Sequence, residues 1–272
     1  MRWVAGLPMY NVSDPLRQQW RALLDDVIDE VSRGDSGLQV EPLDEPFGDL
    51  DALWARDDLL LSQTCGYPLM RVLPDAVQVV ATPIFDVQGC EGPRYRSLIV
   101  VSADAYAHGA TTLEACRGLR AAYNDIHSNS GMNAFRHAVA PYAHEGRFFG
   151  TTLCTGGHLR SLHALADGRA DVAAIDCVTF AYAGEAIPDV LARVRVIGST
   201  SPSPGLPFIT SATTNESQLQ ALRDALDHAV KRDPVRARSL RLRGFARLER
   251  EAYEAIVDLE QSAIARGYPS LQ

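Results

Sequence analysis

Ser128, Asn129 and Ser130 carry the clearest chemical signal in the sequence. An apolar run that ends at Tyr123 precedes this polar cluster, and apolar residues at helical spacing follow it. We therefore predict a strand, a loop and a helix whose first turn contains the three polar residues. The first turn of a helix leaves backbone N–H groups without intrahelical partners, and the helix dipole makes that end partly positive. Together with Gly131, which lets a ligand approach the backbone, the segment is a candidate site for a phosphate, phosphonate or carboxylate.

A helix cap is the alternative interpretation of this cluster. Serine and asparagine are the preferred N-cap residues of any helix, so Ser128 or Ser130 alone would indicate only a cap. The run 128–131 contains four consecutive small or polar residues, which is more than one cap requires. The composition of the run therefore favours an anion site over a simple cap.

Five other residues are candidates for contact with a ligand. His158 follows two glycines at the start of a second predicted helix, where its imidazolium would pair with an oxyanion and respond to pH. Asp176 ends a buried strand at the carboxyl edge, where α/β proteins place ligand groups, but it is equally suited to cap the next helix. Tyr10, Tyr67 and Tyr95 lie in predicted loops, where aromatic rings either line pockets or cover the edges of the core.

The sequence contains no recognisable catalytic or metal-binding motif. A G-x-S-x-G elbow, an H-E-x-x-H pair and a Walker loop are all missing, and nothing in the spacing brings Ser128, His158 and Asp176 together as a triad. The five cysteines are widely spread without a C-x-x-C pair, which is typical of reduced thiols in a cytoplasmic protein. We predict no catalytic residue, no metal site and no cofactor.

The composition is that of a folded globular protein. The chain has 272 residues, of which 46% are hydrophobic and 22% charged, and its formal net charge is -8. The acidic balance argues against a general nucleic-acid-binding protein. An arginine-rich run at 232–250 is the exception, and we interpret it as a solvated helical face. No stretch predicts insertion into a membrane, so we expect a cytoplasmic protein as the chain stands, or a periplasmic one if a signal peptide has been removed.

The elements that must position these residues alternate between strands and helices. This order predicts an α/β protein with a largely parallel sheet. The predicted strands lie at 3–7, 38–42, 59–61, 77–83, 98–102, 118–123, 150–154, 172–175, 194–197 and 208–211. The predicted helices lie at 15–34, 49–56, 130–142, 158–166, 178–194, 216–231 and 253–265, with a short helix ending at 73.

Two segments have the composition of linkers, at 103–112 and at 198–205. They divide the chain into one lobe formed by residues 1–103 plus 199–272 and a second lobe formed by residues 104–198. Two linkers between two lobes predict a hinge, with a ligand site in the cleft between the lobes.

Several motifs in this order resemble a known family of proteins. The most specific are Asp125-Ile126-His127-Ser128-Asn129-Ser130-Gly131 and Thr155-Gly156-Gly157-His158, and further matches lie at 66–67, 92–97, 168–176 and 201–207. Together they resemble the type II periplasmic-binding-protein fold, in its branch of phosphate, phosphite and phosphonate substrate-binding proteins of ABC transporters.

The resemblance assigns roles to the candidate residues. It implies that Ser128, Asn129 and Ser130 grip a phosphonate, that His158 adds a contact from the next helix, and that Tyr95 faces the cleft near the hinge. Each of these roles is an expectation taken from the family.

The chain also departs from that family's pattern. Cys65 occupies a position where the family has a tyrosine, with Tyr67 two residues later. Val178 and Leu206 fall where receptors for aminophosphonates carry acidic residues, and Asp176 is close enough to substitute for one of them. The resemblance therefore implies that the residues that bind the anion are retained, whereas those that recognise the rest of the ligand have changed.

Three functions follow from these observations. The first is a solute-binding protein that captures a small oxyanion-bearing ligand and delivers it to an ABC-transporter permease. The second is a cytoplasmic enzyme on the same fold, similar to those that make pyrimidine precursors of thiamine. The third is a sensor that passes ligand-induced closure to a signalling partner.

Overall fold

The computed structural model of the chain describes residues 2–34, 37–73 and 75–272. In these ranges the strands are β1 (Arg2–Gly6), β2 (Gln39–Pro42), β3 (Leu59–Gln63), β4 (Val77–Phe85), β5 (Arg94–Tyr95), β6 (Ser97–Ser102), β7 (Arg120–Tyr123), β8 (Thr151–Cys154), β9 (Val172–Asp176), β10 (Val194–Ser199), β11 (Ser203–Pro204), β12 (Phe208–Ser211) and β13 (Leu242–Ala246). The α-helices are α1 (Asp14–Gly34), α2 (Leu50–Trp54), α3 (Gly66–Arg71), α4 (Ala103–Ala107), α5 (Ala134–Val139), α6 (His158–Ala166), α7 (Cys177–Ala186), α8 (Pro188–Leu191), α9 (Glu216–Arg232), α10 (Pro234–Ser239) and α11 (Glu254–Ala265).

Shorter helical turns complete the secondary structure. A π-helical turn covers Asn129–Asn133 and leads directly into α5. Turns of 3₁₀-helix cover Glu114–Cys116, Ala140–Tyr142 and Arg250–Tyr253. The strand, loop and helix predicted around residues 120–139 are confirmed, with the π-helical turn at the start of the helix.

The chain divides into two compact units. The first unit contains Met1–Asp86, Glu91–Pro93 and Pro204–Tyr253. The second unit contains Val87–Cys90, Arg94–Ser203 and Glu254–Gln272.

The first unit is built on a sheet with the strand order β13-β4-β12-β3-β1-β2. Strand β1 is parallel to β2 and β3, whereas β12 is antiparallel to β3 and β4. Helix α1 packs against α9 and buries a face that includes Trp20, Leu23, Leu24 and Val27. Apolar residues at i, i+3, i+4 and i+7 place this face on one side of α1, as the sequence pattern predicts.

The second unit is built on a sheet with the strand order β10-β6-β9-β7-β8. Strand β7 is parallel to both β8 and β9, whereas β6 is antiparallel to β9 and β10. Two hydrophobic clusters pack against this sheet. One includes Phe135 of α5 and Ala263 of α11, and the other includes Leu162 of α6 and Ala183 of α7.

Both sheets are mixed, which corrects the prediction of a largely parallel sheet. Strand β6, whose pairings are antiparallel, has a continuous apolar run like that of β9, because residues on both faces of these two strands are buried. The single helix predicted at 178–194 is also wrong, since it is split into α7 and α8 at Ile187. Pro188 lacks an N–H group and disfavours helical backbone at the preceding residue, and Ile187 accordingly has a φ of -139°.

The boundaries of the two units differ from those of the predicted lobes. Strand β6 pairs with β9 and β10, and α11 packs against α5, so both belong to the second unit. The sequence analysis placed both in the first lobe. The predicted linker at 103–112 begins with α4, a helix of the second unit that packs against β6 and β10.

The arginine-rich run at 232–250 is not one solvated helical face. It contains α10 and then strand β13, which pairs with β4. Arg236 is only 6% exposed and donates from Nη2 to Asp26 Oδ2 at 2.5 Å and to the Ala229 carbonyl at 3.1 Å. Arg232 contacts the same carboxylate, Asp26, from the exposed side. Among the described residues, no helix is both long and apolar enough to cross a membrane.

The two arginines on Asp26 make a matched pair for a stability measurement. We expect Arg236→Ala to lower the free energy of unfolding by about 2–4 kcal/mol, because it removes a buried partner from a carboxylate and from a carbonyl. Arg232→Ala should change it by less than about 1 kcal/mol, because that ion pair is exposed to solvent. Urea unfolding followed by circular dichroism measures both, and equal losses would contradict the structural role assigned to Arg236.

Candidate functional site

The candidate site lies at one edge of the second-unit sheet. Strands β7, β8 and β9 run parallel, so their carboxyl ends meet at the same edge. Strand β6 is antiparallel to β9 and begins there, with Ser97 opposite Asp176. The loops that follow β7 and β8, together with the start of β6, therefore bring distant parts of the sequence to one place.

Ser128 begins the helical segment as its N-cap. Its side-chain Oγ accepts a hydrogen bond from Gly131 N at 3.1 Å, and its carbonyl accepts one from Asn133 N at 3.0 Å. The cap interpretation therefore holds for Ser128. A π-helical turn follows, a conformation that is rare in proteins and frequent at functional sites.

Ser130 and His158 are joined across two helix starts. Ser130 Oγ is 2.8 Å from His158 Nε2 and 3.3 Å from Ser128 Oγ. The Ser130 carbonyl accepts a hydrogen bond from Ser97 Oγ at 2.9 Å, which fixes the backbone beneath the hydroxyl. The structure thus joins His158 to Ser128 and Ser130 of the polar segment in one hydroxyl–imidazole cluster.

Asn129 connects this cluster to Tyr95. Its Nδ2 donates to the Tyr95 hydroxyl at 3.1 Å, and its Oδ1 accepts from Asn133 Nδ2 at 3.1 Å. Asn129 and Tyr95 are 1% and 3% exposed. The side chains of residues 128–130, His158 and Tyr95 therefore form two adjoining hydrogen-bonded groups within the second unit.

Asp176 caps helix α7. One of its carboxylate oxygens, Oδ1, accepts hydrogen bonds from Val178 N at 2.7 Å and Thr179 N at 2.9 Å. The carboxylate is 2% exposed and lies at the carboxyl end of β9. The structure shows the capping role that was one of two alternatives, and a ligand contact at Asp176 stays a prediction.

Tyr10 and Tyr67 belong to the first unit. Tyr10 is 8% exposed, and its ring packs in the core, 5.3 Å from Phe85 and 6.4 Å from Trp20 between centroids. This corresponds to the alternative in which a loop tyrosine covers the core. Tyr67 is half-buried in α3.

Asn124, Ser97 and Asn133 belong to the site, and the sequence analysis did not select them. Asn124 directly follows β7, and its carbonyl accepts a hydrogen bond from Gly156 N at 2.8 Å, which ties together the loops after β7 and β8. Its position at the carboxyl end of a strand was the signal that could have identified it. Ser97 and Asn133 carry no comparable signal, because their roles depend on tertiary contacts.

Two buried polar atoms at this edge have no hydrogen-bond partner among the described residues. They are His158 Nδ1 and Asn124 Oδ1. A Cβ atom at Gly131 would overlap Asn124 Oδ1 and lie 3.1 Å from His158 Cε1, so Asn124, Gly131 and His158 are in close contact. Buried polar atoms without a partner are uncommon in proteins and mark places where a ligand or water completes the bonding.

Burial lowers the pKa of His158 from its usual 6.5 to about 4. The imidazole is therefore neutral at pH 7, where it carries one N–H donor. With the serine hydroxyls and the Asn129 amide it forms an uncharged set of hydrogen-bonding groups at the start of a helix. Such a set binds oxyanions through hydrogen bonds and the helix dipole. Among the described residues, no group of His, Cys, Asp and Glu side chains has the arrangement of a metal site.

The sequence matches the profile of a protein family described as the periplasmic substrate-binding protein of phosphonate ABC transporters. The match covers residues 8–253, nearly the whole chain. No functionally curated protein matches the sequence.

Solved structures share the fold at low sequence identity. A binding-protein component of an ABC phosphonate transporter from Pseudomonas aeruginosa is 18% identical, with a TM-score of 0.78 over 98% of this chain and 87% of that one. PhnD1 from Prochlorococcus marinus in complex with methylphosphonate is 14% identical, with a TM-score of 0.70 over 96% and 97% of the two chains. A Xanthomonas citri protein bound to ATP is 18% identical, with a TM-score of 0.69 over 98% of both chains. These likenesses show the type II periplasmic-binding-protein fold.

The contact between Gly131 and Asn124 gives a test of the site geometry. We expect Gly131→Ala to lower the melting temperature by several degrees. The new Cβ would overlap Asn124 Oδ1, so the Asn124 side chain or the backbone at residue 131 must move. Gly157→Ala is the matched control, since its Cβ would meet no atom within 4 Å and its φ of 168° is ordinary extended backbone. Differential scanning calorimetry compares the two variants, and an undisturbed Gly131→Ala protein would refute the packing.

The lowered pKa of His158 predicts a pH dependence of stability. Between pH 6.5 and about 4 the unfolded state binds a proton at His158 that the folded state does not. The free energy of unfolding should therefore fall in this window as the pH drops, by up to about 1.4 kcal/mol per pH unit, with no further contribution below it. Urea unfolding at several pH values should show a smaller fall for His158→Asn than for the exposed control His163→Asn. Equal slopes in the two variants would contradict the lowered pKa.

Proposed function

The chain belongs to the family of periplasmic substrate-binding proteins of phosphonate ABC transporters, and we propose that Ser128, Asn129 and Ser130 hold the oxyanion of its ligand. The family consists of transporter binding proteins rather than enzymes, and the chain has the corresponding solute-binding role. The identity of the ligand, the residues that contact it and the absence of turnover are the parts that we propose.

The observation that carries the assignment is the contact between Ser130 Oγ and His158 Nε2 at 2.8 Å. It joins the start of the segment 129–139 to the start of α6 at the carboxyl edge of β7 and β8. Two helix starts that meet at a hydrogen-bonded hydroxyl and imidazole provide hydroxyl, imidazole and backbone N–H groups for the oxygens of one small anion. The buried Nδ1 of His158 has no hydrogen-bond partner among the described residues, which supports a ligand at this place.

An oxyanion beside His158 stabilises the protonated imidazole and so raises its pKa. Ligand binding is then coupled to proton uptake, and the coupling is strongest between the pKa values of the free and the bound protein. At higher pH the neutral imidazole still donates one N–H bond. The proposed contacts at this site are thus made by hydroxyl, amide and imidazole groups.

The rest of the ligand is small and lacks an amino group in this proposal. Val178 and Leu206 occupy positions where, by the family resemblance, receptors for aminophosphonates carry carboxylates, and both are buried apolar residues. At those two positions an ammonium group has no counter-charge, and Oδ1 of Asp176, the nearby carboxylate, already accepts from Val178 N and Thr179 N. We therefore favour phosphate, phosphite or an alkylphosphonate, and the methylphosphonate complex of the Prochlorococcus marinus protein agrees with this class.

The remaining candidates are assigned to the non-anionic part of the ligand. Tyr95 is positioned by Asn129, and Asp176 lies at the carboxyl end of β9. Ligand contacts at Tyr67 and Tyr10 stay predictions from the sequence, and the ring of Tyr10 packs against Phe85 in the core. An ABC-transporter permease is the proposed partner, and a signalling protein is the alternative one.

Isothermal titration calorimetry with methylphosphonate, phosphate, phosphite and 2-aminoethylphosphonate tests the site. We expect Ser130→Ala to weaken binding of the preferred ligand about 10-fold or more, and Ser128→Ala plus Ser130→Ala about 100-fold, because hydrogen bonds to a charged group are lost. The exposed Ser217→Ala in α9 is the control and should bind as the parent protein does. Unchanged affinity in the double variant would show that the segment is only a cap.

Two further measurements keep this test decisive. Because Ser128 also caps the helical segment, the melting temperature of each variant is measured, and weaker binding counts only where the variant is folded at the titration temperature. Phosphorus NMR of the recovered ligand then separates binding from catalysis. A ligand recovered unchanged supports the solute-binding role, whereas a new phosphorus signal would favour the enzyme.

A further inference from the structure

Two cysteines of the second unit lie side by side although 87 positions separate them in the sequence. Cys90 Sγ and Cys177 Sγ are 3.5 Å apart, and both thiols are free. Cys90 belongs to the short segment Val87–Cys90, and Cys177 is the first residue of α7. Neither residue belongs to the candidate oxyanion site.

The backbone around this pair is fixed by close packing. Gly89 has a φ of +100°, and a Cβ atom there would lie 3.0 Å from Cys177 Cβ, so glycine allows the segment to approach α7. Cys90 N donates to the Val87 carbonyl at 3.0 Å, and Cys177 N donates to the Arg96 carbonyl at 3.1 Å. Both backbones are held by hydrogen bonds, which keeps the two side chains facing each other.

We propose that Cys90 and Cys177 are a disulfide-forming pair, whose oxidation links the segment Val87–Cys90 to the first turn of α7. A disulfide bond is about 2.05 Å long, so the sulfur atoms must approach by about 1.5 Å. A change in the side-chain torsions of the half-buried Cys90 provides this movement while the backbones keep their hydrogen bonds.

The chemistry is thiol–disulfide exchange with a small-molecule disulfide or a disulfide carrier protein. The Cys90 thiolate attacks one sulfur of the external disulfide, forms a mixed disulfide and releases one thiolate. Cys177 then loses its proton to solvent and attacks Cys90 Sγ, which releases the second thiolate. Two protein thiols are oxidised to one disulfide, and the external disulfide is reduced to two thiols.

The order of these two steps follows from the surroundings of the thiols. Its hydrogen bond with Cys90 and its burial raise the pKa of Cys177, which keeps that thiol protonated and poorly reactive toward external reagents. Cys90 is the more exposed of the two and meets the external disulfide first.

The cross-link has a structural consequence for the second unit. It ties the segment Val87–Cys90 to α7. The chain returns to the first unit directly after this segment, at residue 91. The closed loop is long, so the link stabilises the folded chain by restricting the unfolded one. Proteins of periplasmic type work where disulfides persist, and the pair is arranged for that environment.

The test is oxidation of the full chain with oxidised glutathione, followed by a count of free thiols after denaturation. The parent protein has five cysteines, so we expect the count to fall from five to three, with a mass loss of about 2 Da and full recovery after reduction. Peptide mapping of the oxidised monomer should identify one linked pair, Cys90 with Cys177.

Variants at single cysteines complete the test. Cys90→Ser should keep all of its thiols under the same treatment, whereas Cys154→Ser, which removes an exposed cysteine, should still lose two. Cys90 is chosen over the buried Cys177 so that the variant folds, and circular dichroism checks this. A parent protein that keeps five thiols, carries glutathione stably at Cys90, or links any other pair would overturn the proposal.

Discussion

The parallel pairing of β7 with β8 and β9 is the constraint on which the candidate site depends. It brings three carboxyl strand ends to one edge of the second-unit sheet, so that residues near 124, 156 and 176 become neighbours. A helical segment starts beyond each of these ends, and the N–H groups of the first turns need partners. Ser128 and Asp176 satisfy some of these groups as caps, and Ser130 and His158 offer further donors.

The neutral state of His158 has a physical cause and a consequence. Burial keeps His158 neutral, which avoids the cost of an unpaired cation in the ligand-free protein. A site made of hydroxyls, amides and a neutral imidazole orients its dipoles before the ligand arrives, so little reorganisation opposes binding. Under the proposed function the affinity depends on pH, because His158 is neutral in the free protein and takes up a proton when the oxyanion binds.

Local sequence signals predicted a large part of the fold and selected Ser128, Ser130 and His158, which lie together at the candidate site. Helix α1 covers Asp14–Gly34, close to the predicted 15–34, and the hydrophobic period located most of the other elements. The strand directions were not predictable, because buried parallel and antiparallel strands have similar apolar runs. The burial of Arg236 was not predictable either, since its partner Asp26 is 210 positions away. At the site, cap chemistry identified Ser128 and Ser130, whereas Asn124 and the neutral state of His158 depend on packing that one sequence does not reveal.

The far end of the chain also shapes the site. Asn133 holds Asn129 through its amide, and the same Nδ2 donates to the Ile256 carbonyl of α11 at 2.9 Å. Arg136, only 4% exposed, donates to Asn133 Oδ1 at 2.7 Å and to the Pro269 carbonyl at 2.6 Å. A buried guanidinium with several acceptors fixes its neighbours firmly, because moving any one of them leaves a charge without a partner. The carboxyl-terminal segment 254–272 therefore packs against the candidate oxyanion site, although its sequence carries no sign of a ligand site.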